Sequence, residues 1–70
     1  MTGQEYANSL MAEIAEAKAA GRNGIFKMRI KLDDSVAIYA RDYISSNTPY
    51  RVDFHKCQSC AFEWDIMVMF

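Results

Sequence analysis

Proline and glycine are nearly absent from this 70-residue chain, which holds one Pro and three Gly. That scarcity excludes collagen-like, Pro-rich and Gly/Ser-linker architectures. With 51% of residues apolar and 13% aromatic, it also excludes a disordered chain. An excess of charge is missing too: eight Lys and Arg stand against nine Asp and Glu. Neither the basic surface of a non-specific nucleic-acid binder nor an acidic mimic of DNA is expected from such a balance. No apolar run approaches the roughly 20 residues that cross a bilayer, and there is no internal repeat. The opening residues Met1, Thr2, Gly3, Gln4 and Glu5 are polar and do not resemble a signal peptide. Cysteine is limited to two residues, expected to be reduced thiols in a cytoplasmic protein. The expectation is one domain spanning 1–70, small enough to be marginal unless it packs well, binds metal or associates.

What is present is clear periodicity. Thr2 and Glu5 fit a capping box. Ala7, Leu10, Met11, Ile14 and Ala17 then share one helical face with Tyr6 on its flank, so a helix is predicted over about 4–20, with Gly21 as its C-cap. From Ile25 to Leu32 the pattern alternates. Phe26, Met28, Ile30 and Leu32 are expected on a buried face, and Lys27, Arg29 and Lys31 on the other. Asp33, Asp34 and Ser35 offer helix caps. Val36, Tyr39, Ala40, Tyr43 and Ile44 follow at helical spacing, which predicts a second helix over about 35–46. A strand is the rival reading, because Val, Ile and Tyr are good strand formers. Residues 50–57 and 61–70 read as two strands joined by a turn.

The predicted order is α-β-α-β-β. The fold class is α+β, with a three-stranded mixed sheet in the order 1-3-2 and two helices packed on one face. The third strand is placed centrally because residues 66–70 are apolar on both faces. The helices are expected to cover Phe26, Met28, Ile30, Val52, Phe54, Phe62, Trp64, Ile66 and Val68. Arg51, Asp53, His55, Glu63 and Asp65 are expected on the opposite face with the basic residues of the first strand.

Three features could carry function. His55, Cys57 and Cys60 are residue types that bind zinc, and two Cys three apart on a turn suit one tetrahedral ion. The stretch from Cys57 through Phe62 to Trp64 resembles one knuckle of a zinc ribbon. The likeness covers about eight residues, has Ala61 where such knuckles usually carry Gly, and lacks the second ligand pair. A zinc site would therefore need Asp53 or Glu63, or a dimer sharing the metal. Lys27, Arg29 and Lys31 form a short basic stripe, a weak candidate for nucleic acid, and opposed acids neutralise it. The apolar end of the chain, with Met67, Met69 and Phe70 joined by Tyr39 and Tyr43, is the candidate partner-binding surface, because Met and Tyr suit adaptable protein contacts. No oxyanion turn or third orienting group accompanies His55 and the Cys residues, so no enzyme is expected. The sequence reading is a small non-enzymatic protein-binding module, of the size and class of phage-type accessory or inhibitory proteins, that binds another protein or forms a homodimer.

Overall fold

The computed structural model describes residues 1–56 and 62–70. Its elements run α1 (Gly3–Ala19), β1 (Gly24–Lys31), α2 (Asp34–Asn47), β2 (Arg51–Lys56) and β3 (Glu63–Met69). Each boundary has a local cause. At the start of α1 the Glu5 N–H donates to Thr2 Oγ1 (3.1 Å) and the Thr2 N–H donates to the Glu5 carboxylate (2.9 Å). This reciprocal capping box satisfies two of the orphan donors at the helix end, and the same hydrogen bonds hold the Glu5 carboxyl below its ordinary pKa. At the other end Gly21 takes φ +80°. That lets the Arg22 N–H reach the Ala17 carbonyl (2.9 Å) and the Gly21 N–H reach that of Lys18 (3.0 Å), a Schellman closure.

Residues Asp34–Asn47 are helical, which decides between the two readings of that segment. Val36, Ala37, Ala40 and Ile44 are its buried residues, a stripe of helical period. Small Ala37 takes the core position that the spacing assigned to Tyr39. The Tyr39 ring is 47% exposed and stacks on Tyr43 at 6.2 Å between centroids. The helix stops two residues before Pro49, where Thr48 turns to extended backbone and its Oγ1 and N–H both donate to the Ile44 carbonyl.

The sheet order is β1-β3-β2, as the apolar character of β3 implied. Both neighbour pairs are antiparallel. The outer strands thus run the same way without touching, and the sheet is antiparallel throughout its hydrogen bonding rather than mixed. Both helices lie on one face. The core they close includes Leu10, Ile14, Ile44, Ile66 and Val68, all essentially buried, with Trp64 and Phe54 at its margin.

One expectation about the faces is corrected. Phe26 and Met28 do not join this core; they are 61% and 62% exposed. Ile25 packs against the core in their place, and Lys27 turns toward the helices, where its Nζ lies 2.8 Å from both Glu13 carboxylate oxygens. The other faces follow the alternation. Val52 and Ile30 pack on the core and Phe54, Trp64, Ile66 and Val68 are buried, whereas Phe62 is 56% exposed at the start of β3, with φ +61°.

Tyr6, placed on the flank by its spacing, is 7% exposed. Its hydroxyl is buried without a hydrogen-bond partner among the described residues. Burial pushes its phenol up to about 12, and the Glu13 carboxylate adds to the shift. The folded pKa lies above the unfolded value, so this contribution to stability is complete below pH ~10 and is lost as pH rises through ~12. Tyr6→Phe is expected to raise stability by about 1 kcal/mol, because it removes an unsatisfied buried hydroxyl. It should also flatten the alkaline decline. Urea titrations at neutral pH and at pH ~11 check both expectations.

Candidate functional site

The feature that shapes the outer surface is an irregularity in β1. Lys27 pairs with Ile66 and Ile30 with Trp64, so three steps on β1 match two on β3. Met28 and Arg29 together stand against Asp65, which makes a β-bulge. Arg29 adopts φ +54°, a left-handed conformation uncommon outside glycine. The Asp65 carboxylate accepts the Arg29 N–H at 3.1 Å and so gives this backbone donor a partner.

The bulge reverses which alternate residues face the helices. After it, Ile30 and Leu32 point to the core. Before it, Ile25 and Lys27 do, and Phe26 and Met28 are turned onto the face no helix covers. A regular strand that kept Ile30 inside would have buried both.

The open face can be mapped from the register. Along β3, Glu63, Asp65, Met67 and Met69 alternate with the buried Trp64, Ile66 and Val68. Met67 lies between Phe26 on β1 and Asp53 on β2, Asp65 lies opposite His55, and Met69 lies between Gly24 and Arg51. Phe26, Met28, Met67 and Met69 therefore form an apolar patch at one end of the face. Met67 is half-buried and Met69 is 45% exposed. Asp53, Arg51, His55 and Asp65 border the patch, and Lys31 pairs with Glu63 at the far end.

The residues singled out in the sequence are thus divided. Met67 and Met69 lie on the open face. Phe70 packs against the core instead, tilted on Tyr50 at 5.6 Å. Tyr39 and Tyr43 stack on α2, in the helix layer, and the Tyr39 hydroxyl donates to Gln4 Oε1 at 2.7 Å. The basic stripe is broken: Lys27 is paired with Glu13 on the helix side, and only Arg29 and Lys31 are exposed. Opposite phase on the two sides of the bulge is the reason. His55 is exposed on β2. Cys57 and Cys60 lie outside the described residues, and among the described residues no group of three or more His, Cys, Asp or Glu side chains converges as a metal site. No described helix is long and apolar enough to cross a membrane.

Phe26 and Met28 are the residues that sequence reasoning missed as surface. The adjacent pair Ile25 and Phe26 is the one signal available, because two neighbouring apolar residues fit either phase of a strand. No family model, curated protein or solved structure matches this chain.

Proposed function

We propose that this chain is a protein-binding module without catalytic activity of its own, and that the uncovered face of its sheet is the contact surface. The observation that carries this reading is the bulge at Met28 and Arg29. Residues held at positive φ outside glycine persist where the surroundings over-determine them, and they cluster at functional sites. Here the irregularity sets two large apolar side chains beside Met67 and Met69 on a face that no described element covers. An aromatic ring with three flexible thioethers makes an adaptable apolar surface, and a rim of Arg51, Asp53, His55 and Asp65 supplies polar groups of both signs. A hydrophobic centre inside a mixed polar rim is the usual anatomy of a protein interface.

The test is retention of a protein from source-cell extract by the immobilised chain. Phe26→Lys combined with Met67→Lys is expected to weaken that complex at least about thirtyfold, the scale of losing a hot-spot residue. Far-UV circular dichroism should be unchanged, since neither side chain belongs to the core. A variant that is folded and still binds at full strength would remove the open face from the reading.

A further inference from the structure

The sheet has two outer edges, and they differ. The β1 edge is interrupted by the bulge and by the positive φ of Arg29, a device that discourages strand addition. The β2 edge is regular: six consecutive residues, Arg51 to Lys56, pair with β3 without a register shift. Among the described residues, no backbone hydrogen bond from β2 leaves the sheet. One side of β2 is thus, among the described residues, a row of N–H and C=O groups without a backbone partner.

An antiparallel partner strand must match this edge in face as well as in backbone. Directly opposed residues share a face, so only alternate registers keep Arg51, Asp53 and His55 together on the open side. For a second copy of β2, four such registers overlap by three residues or more, and the one centred on His55 sets His55 against its own copy and keeps only Phe54 to Lys56 in strand. Centring on Asp53 sets Asp53 against the partner's Asp53, so like charges meet. Centring on Val52 opposes Arg51 to the partner's Asp53, but it soon runs into Pro49, which has no N–H to donate. Centring on Phe54 opposes each Asp53 to the partner's His55 twice over by symmetry, sets Phe54 against the partner's Phe54 on the helix side, and keeps Val52 to Lys56 in strand.

We propose that the occupant of this edge is a second copy of the chain, joined by antiparallel β2–β2 pairing centred on Phe54. The product is a six-stranded sheet with all four helices on one side and the two apolar patches on the other. The contact is isologous, so it closes at two subunits. The strip is short, and the dimer is accordingly weak and concentration-dependent. This inference concerns the edge and stands apart from the contact role proposed for the face.

Sedimentation equilibrium of the full chain, from micromolar to millimolar, tests it. A reversible monomer–dimer equilibrium is expected. Asp53→Lys should raise the dissociation constant about tenfold or more, since two cross-strand carboxylate–imidazole pairs are lost. Adding His55→Glu to that variant sets opposite charges against each other in the same register and should recover most of the loss. Asp53 and His55 are both exposed, and circular dichroism confirms that the variants are folded. A chain that stays monomeric throughout overturns the proposal. So does a dimer that ignores Asp53→Lys but dissociates on Met67→Lys, because the copies would then meet through the open face. A dimer weakened by Asp53→Lys but not recovered by the double variant overturns the assigned register.

Discussion

Ile66→Ala is expected to leave most of the chain unfolded at room temperature. Ile66 is completely buried in the central strand, with Lys27 and Phe54 as its cross-strand neighbours. Both flanking strands hold it in place, so the surroundings are poorly able to collapse into the space left behind. Substitutions of this kind cost about 2–5 kcal/mol through lost transfer energy and the residual cavity. A single core in a domain of this size rarely supplies more than about 3–5 kcal/mol in total. Far-UV circular dichroism, with urea unfolding followed through Trp64 fluorescence, gives the loss directly. Met67→Ala, one residue along on the open face, is the control and should cost less than about 1 kcal/mol, because Met67 keeps part of its surface in water. Equal losses at the two positions would mean that the open face is covered in solution.

Gly3→Leu is expected to cost about 1–3 kcal/mol, although the position is at the beginning of α1. A Cβ at Gly3 would lie 2.5 Å from Tyr39 Cβ and 2.7 Å from Tyr39 Cγ. These atoms sit close to the α2 backbone and cannot swing aside as the tip of a long side chain could. The first turn of α1 must fray or the two helices must part, and overpacking of that kind carries a penalty of the stated size. Fraying would also break the capping box at Thr2 and the hydrogen bond from Tyr39 to Gln4. Urea denaturation measures the cost, and loss of protection at the α1 amides in hydrogen exchange separates fraying from a rigid shift. A Gly3→Leu variant as stable as the parent would show that the helix crossing at this end is loose.

Much of the architecture was legible because periodicity and burial agree. α1 was readable from Leu10, Ile14 and Ala17, and β3 from a run apolar on both faces, which placed it between the other strands. The α2 stripe was readable as helical but not in its detail. Tyr39 and Ala37 compete for the inward direction, and the close approach of Gly3 to Tyr39 favours the small residue facing in, a contact that no local pattern reveals. The bulge was not legible for a related reason. Phe26, Met28 and Ile30 alternate as a regular strand would, and what overrides that pattern is the Asp65 carboxylate from a strand 36 residues away. The candidate site inherits this split. Met67 and Met69 follow from the phase of β3 alone, whereas Phe26 and Met28 reach the same face only through a long-range interaction.

The position of β3 in the sheet has a consequence in time. β1 and β2 never touch each other; each pairs only with β3, which comes after both in the chain. Gly24 meets Met69 across 44 intervening residues and even Lys31 meets Glu63 across 31, so a long loop must close before the first outer strand gains a ladder. Contacts of such long range slow folding relative to helical proteins of equal size. Until β3 is in place, the preceding segments can pack α1 on α2 and lay each helix on an outer strand, but they have no ladder to form. Both ladders of the sheet therefore wait for β3, and a chain interrupted before Glu63 has no sheet to form.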